Sequence, residues 1–134
     1  MQGGAFAIAT RAGADARFEP DFGIMDEQRF RHLADDTFRR ILDGYEAIDA
    51  DEADVDTAGN TINVTFGNGQ RCVVNTQAAV SQIWLAGGQS GWHFSYDEGS
   101  GRWLHDKGTG DELFAVLSRL TQQAIGQAPQ FRQP

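Results

Sequence analysis

Cysteine is nearly absent. Cys72 stands alone in 134 residues, so no disulfide can form within the chain. It sits in Arg71-Cys72-Val73-Val74, a strand-like run in which a lone thiol serves as a small apolar side chain. Lysine is nearly absent too, with Lys107 the single example. Eleven Lys and Arg face nineteen Asp and Glu, which gives a formal charge of −8 and a pI near 4.6. That balance excludes nucleic acid, whose binding draws on clustered cations, and disfavours an anionic membrane surface. No apolar run approaches the ~18 residues of a membrane span. The run Ala5 to Ala9 is too short for a signal-peptide core, and Gln2-Gly3-Gly4 supplies no positive start. The expected compartment is a reducing cytoplasm. No His-x-x-x-His or Cys-x-x-Cys pair offers zinc ligands, and His32, His93 and His105 are scattered. Neither a Walker loop nor a dinucleotide fingerprint is present.

Against these absences, one stretch is crowded. Ile41 to Gln70 holds Asp43, Glu46, Asp49, Asp51, Glu52, Asp54 and Asp56, and no Lys, Arg or His. Like charges repel, and a compact state loses stability by crowding them. Two readings follow. The stretch is a solvated face kept for solubility, or it is a surface for a hard cation or a basic partner. Asp49-Ala50-Asp51-Glu52-Ala53-Asp54 suggests a calcium loop. It fails at Asp54, where the EF-hand turn needs glycine, and at Asn60, where it needs glutamate. Hard oxygen ligands suit iron, manganese, magnesium and calcium alike. A catalytic carboxylate pair needs burial that drives two pKa values apart, and an exposed helix side offers none. The expectation is therefore a binding protein and not an enzyme.

At this length the chain forms one domain with one core. Residues 1–24 are a composition island, with six Ala, four Gly and no Leu or Val. They read as a poorly ordered extension before a domain spanning 25–128, with a short tail at 129–134. Asp26 is a candidate N-cap. Phe30, Leu33, Ala34, Phe38, Ile41, Leu42 and Tyr45 recur at helical spacing, which predicts a helix over about 27–46. Its outer face pairs Asp35 with Arg39 and Asp36 with Arg40 at i, i+4. Six short strands are expected at 54–57, 61–66, 71–75, 80–86, 92–97 and 102–106, with Asn68-Gly69 a strong hairpin signal. Thr109-Gly110-Asp111-Glu112 reads as a capping box, Thr at N-cap and Glu at N3. Leu113, Phe114, Leu117, Leu120 and Ala124 then predict a closing helix that Gly126 ends. The order helix, antiparallel strands, helix predicts an α+β fold. It is a two-layer sandwich with two terminal helices on one face of an antiparallel sheet of about six strands.

Val80-Ser81-Gln82-Ile83-Trp84-Leu85-Ala86 is the second informative stretch. Period-2 alternation places Ile83 and Leu85 on one face and Val80, Gln82 and Trp84 on the other. If the first pair lies under the helices, Trp84 is on the open face. There it is either a contact for a partner, tryptophan being enriched among interface hot spots, or covered by neighbours such as Gln82.

Together, the helix, the acidic ridge, Asn75-Thr76-Gln77, Gln82-Ile83-Trp84-Leu85-Ala86, Gly91-Trp92-His93-Phe94 and the capped last helix resemble the frataxin family, its bacterial CyaY-like branch above all. The likeness covers about 25–128. It implies the same sandwich and a non-catalytic role in iron–sulfur cluster assembly. It further implies weak surface binding of iron (Fe2+ or Fe3+) and contact with the cysteine desulfurase and the scaffold protein. By position, the implied metal ridge falls on Asp43, Glu46, Asp49, Asp51, Glu52, Asp54 and Asp56. The implied partner contacts fall on Trp84, Gln82 and Asn75. A monomer is expected, with oligomers under metal. Leu42 stands where close relatives often have a second glutamate, and Gly44 and Ala47 interrupt the helical acid row.

Overall fold

The computed structural model describes residues 25–132. The expected N-terminal extension over 1–24 lies outside them. Helix α1 spans Glu27–Tyr45. Asp26 caps it, its carboxylate accepting from the Arg29 backbone N–H at 3.3 Å. The buried stripe is Phe30, Ala34, Thr37, Ile41, Gly44 and Tyr45. Thr37 joins it because its hydroxyl is satisfied twice. It donates to the Leu33 carbonyl (2.8 Å) and accepts from the Trp103 indole (2.9 Å).

Six strands follow, β1 (Ala53–Ala58), β2 (Thr61–Phe66), β3 (Arg71–Gln77), β4 (Gln82–Gly87), β5 (Ser90–Asp97) and β6 (Arg102–His105). They pair antiparallel in sequence order, a simple meander. Helix α2 (Leu113–Ile125) closes the fold. Side chains alternate across the pleat. Ile62, Val64, Phe66, Cys72, Val74, Ile83, Leu85, Trp92, Phe94 and Trp103 point to the helices and are buried. Among the described residues, no layer covers the other face. The two-layer sandwich is as expected from the sequence.

The helices are tied to each other through one buried polar contact. The Tyr45 hydroxyl lies 2.7 Å from Thr121 Oγ1, which spends its own proton on the Leu117 carbonyl, so Tyr45 is the donor. Beyond Gly126, which ends α2 at φ 77°, the chain returns across both helices. Phe131 packs edge-on against Tyr45 and tilted against Phe114, at centroid distances of 5.7 and 5.1 Å. Phe131 is thus packed against both helices.

Three local expectations are corrected. Strand β4 begins at Gln82 and not Val80, because Ala78–Val80 forms a single 3-10 turn. Ser81 then takes a left-handed conformation (φ 53°) and is buried, its hydroxyl accepting from the Met25 backbone N–H at 3.3 Å. That reversal leaves Val80 exposed on a turn, off the face of Trp84. The capping box does not form. Residues 111–112 pair back to β6, through His105 N–H to the Asp111 carbonyl (2.9 Å) and a bridge between Leu104 and Glu112. The helix therefore starts one residue after Glu112, which becomes the N-cap and accepts from Phe114 and Ala115 backbone N–H groups. On α1, Asp36 takes both arginines, Arg40 at 2.8 Å and Arg39 at 3.7 Å, leaving Asp35 outside the pairing.

Candidate functional site

The acidic stretch is built from three pieces of backbone. The last turn of α1 presents Asp43 and Glu46 to solvent. No basic residue stands in that turn, so both carboxylates face the negative end of the helix dipole. The loop behind it is short and pinned. Ile48 is buried, and Asp49 organises the turn. Its side chain accepts from the Asp51 N–H at 3.1 Å, and its carbonyl accepts from the Glu52 and Ala53 N–H groups at 2.9 and 3.0 Å. Buried Ala53 opens β1 opposite Phe66. From there the pleat decides which way each residue points. Val55 and Thr57 pair with Val64 and Ile62 on the helix side, and Asp54 and Asp56 pair with Thr65 and Asn63 on the open face.

All seven carboxylates are exposed. They are not on one face. Asp43 and Glu46 belong to the helix layer, Asp54 and Asp56 to the open face of the sheet, and the loop joins them around the β1 edge. Asp43 is 3.3 Å from Arg132, an exposed pair worth little in water. Glu52 accepts from Gln127 at 3.0 Å. Among the described residues the other ridge acids have no cationic partner within salt-bridge distance. Arg71, in the same register row as Asp54 and Thr65, turns its guanidinium to Asn63 Oδ1 at 3.2 Å. Again among the described residues, no three carboxylate, imidazole or thiolate side chains converge to enclose a metal ion. The surface offers charge and hard oxygen donors without a cage.

The open face carries a second feature. Register places Thr61, Asn75, Trp84 and His93 in one row across β2 to β5. Trp84 is half-buried. Its indole N–H donates to Gln82 Oε1 at 2.8 Å, and its ring stacks on the His93 imidazole at 4.1 Å between centroids and 14° between planes. Trp84 is on the open face, and Gln82 and His93 border it. Asn75 accepts from Gln77 at 2.8 Å and lines, with Trp84, Ala86, Gly91 and His93, an open depression of about 160 Å³. Sequence reasoning named Trp84, Gln82 and Asn75 but missed His93 and Asp106 as their neighbours. The signal was in the strand register, which no spacing rule supplies before the turns are fixed.

Cys72 takes no part. It is buried on the helix side, and burial pushes its thiol up to about 11.

A sequence model described as the frataxin-like domain matches residues 23–127. The chain belongs to the frataxin family. Two relatives carry the name iron-sulfur cluster assembly protein CyaY. That of Azotobacter vinelandii is 36% identical over 107 residues, covering 80% of this chain and 96% of the relative. That of Pseudomonas aeruginosa is 37% identical over 107 residues, covering 80% and 97%. The solved structure of frataxin from Psychromonas ingrahamii superposes with a TM-score of 0.72 at 29% identity, covering 81% of this chain and all of that one.

Proposed function

We propose that this frataxin-family chain acts in iron–sulfur cluster assembly. It binds iron weakly along its acidic ridge and docks on the cysteine desulfurase and its scaffold protein. The observation that carries this reading is a ridge of seven exposed acids, of which only Asp43 has a cationic partner among the described residues, held by a pinned loop around the β1 edge and, at Asp43 and Glu46, opposed to the helix dipole. Such an arrangement costs the fold stability, which a purely structural surface would shed. The names of the CyaY relatives supply the process. Iron is cargo in this reading. Oxygen donors suit it, and an open carboxylate surface without a cage gives weak, multi-site, salt-sensitive binding.

The docking surface is continuous with the ridge. Asp54 and Asp56 lie on the same sheet face as Trp84, three strands away, or about 14 Å at the usual strand spacing. A partner footprint of roughly 800 Å² spans both. Tryptophan supplies the apolar anchor and the carboxylates the electrostatic steering.

A second reading is favoured by the lack of a three-ligand cluster among the described residues. In it the acids meet a basic groove on the partner and metal is incidental. A cluster-assembly assay with purified desulfurase and scaffold tests the process: adding this protein changes the assembly rate if the process is right. Affinity for the desulfurase–scaffold complex separates the two readings. Chelator alone lowers it strongly in the first. In the second, chelator leaves it unchanged and reversing Asp49, Asp51 and Asp54 to lysine weakens it even with chelator present. No change in rate with the unaltered protein would remove the assembly role itself.

A further inference from the structure

Trp84 is held on two sides, and both holds converge on one residue that the ridge and the docking contacts do not include. Asp106 follows β6 directly. Its backbone N–H donates to the His93 carbonyl at 2.8 Å, which puts it beside His93 as the next member of the Trp84 row. The side chain then works in two directions. Oδ2 accepts from Gln82 Nε2 at 3.2 Å, and the same Oδ2 is 3.7 Å from His93 Nδ1. Gln82 is thereby oriented, with its amide N–H₂ on Asp106 and Ser95 Oγ (3.1 Å) and its carbonyl oxygen left for the Trp84 indole. A flipped Gln82 amide would present a donor to the indole N–H, so the carboxylate selects the orientation that holds Trp84. His93 supplies the stacked face. Asp106 Oδ1 also lies 3.9 Å from His105 Nδ1, which accounts for the charged and titratable neighbours of this carboxylate among the described residues.

We infer that Asp106 is a positioning residue for the Trp84 contact. It fixes the amide of Gln82 and flanks the imidazole of His93, and so presents the indole in one pose beside the Ala86–Gly91 depression. The inference rests on the docking role given to Trp84 above. Its physical benefit is preorganisation, since a tryptophan already in its bound pose loses less freedom on binding.

The test uses the full chain labelled with ¹⁵N, and reads the indole N–H signals of Trp84, Trp92 and Trp103 beside affinity for the desulfurase–scaffold complex. Asp106→Ala shifts the Trp84 indole signal and speeds its exchange with water, while Trp92 and Trp103 keep theirs. It weakens partner binding about three- to tenfold, the scale of one or two lost hydrogen bonds. Gln82→Ala reproduces the indole shift from the other side of the link, and covers the case in which Asp106→Ala does not fold. Asp106→Asn retains an acceptor oxygen, and restores most of the indole signal. An unmoved Trp84 indole in Asp106→Ala or Gln82→Ala overturns the positioning role. So does Trp84→Ala weakening the complex while Asp106→Ala leaves it intact. A Trp84→Ala variant that binds normally overturns the docking reading instead, and the indole signals still decide what Asp106 does.

Discussion

At the scale of single residues, Gly44 shows why a helix carries its weakest residue in its last turn. A Cβ built there would lie 2.3 Å from Phe131 Cδ1. The glycine leaves room for the returning tail. Gly44→Ala is expected to lower stability by about 1–2 kcal/mol, because overpacking of about 1–3 kcal/mol outweighs up to ~1 kcal/mol of helix propensity. With Phe131→Ala in place the sign should reverse, and Gly44→Ala should then stabilise. Urea midpoints of the four variants decide it. From sequence, Gly44 reads only as an interruption, since its partner lies 87 positions downstream in a tail that looks featureless. Cys72 gives a second residue-level expectation. Burial raises its thiol to about 11, from an ordinary 9.0. The folded state therefore holds the proton longer than the unfolded one. Stability is intact below about pH 9 and falls between about 9 and 11, with buried Tyr45, also raised by burial, adding to the loss at the alkaline end. Melting curves across that range in the native chain and in Cys72→Ala should differ in slope. A thiol reagent at neutral pH should label Cys72 only after unfolding.

At the scale of elements, the end of α1 and the start of α2 are opposite cases. Glu46 caps α1 at the negative end of its dipole with no cation nearby in sequence. Glu46→Lys should raise stability by about 0.3–1 kcal/mol at low salt, and by less as salt is added. A loss of stability would mean that the ridge is maintained by packing and not at the fold's expense. Glu112 sits at the favourable end and accepts two backbone N–H groups. Glu112→Ala should cost about 1 kcal/mol, whereas Thr109→Ala should cost little, because Thr109 bonds only Asp111. Existence and type of both α-helices and all six strands were legible from periodicity and turn signals: the 3.6-residue stripe of α1, the alternation of Ile62, Val64 and Phe66, the Asn68-Gly69 turn; the 3-10 turn at Ala78–Val80 was not. Boundaries were less so. Strand β4 could not be trimmed at Val80 without knowing that Ser81 buries its hydroxyl against Met25. The α2 cap could not be moved to Glu112 without the pairing of Leu104 with that residue. Both depend on contacts between distant segments, which local patterns do not encode.

At the scale of the whole molecule, a meander with all six strands in order makes the open face readable once registers are known. Trp84 stood out by its residue type and alternation. The surroundings that give it a fixed pose (His93 across from it, Asp106 beyond) emerge only from the stacking of strands. The ridge was legible as charge but not as shape. Sequence reads seven acids in line, while the pleat of β1 turns Asp54 and Asp56 away from Asp43 and Glu46 and wraps the set around a sheet edge. That wrapping puts Asp54 and Asp56 on the sheet face that carries Trp84, three strands away. The most direct test of this account is an anaerobic titration with ferrous iron at low salt, following backbone amide signals of the ¹⁵N-labelled chain. Signals from residues 43 to 56 should shift and broaden progressively, without saturating at one equivalent, and should recover as salt is raised, while the amides of α2 stay sharp. Undisturbed signals over 43–56 at millimolar iron would contradict the ridge as an iron surface.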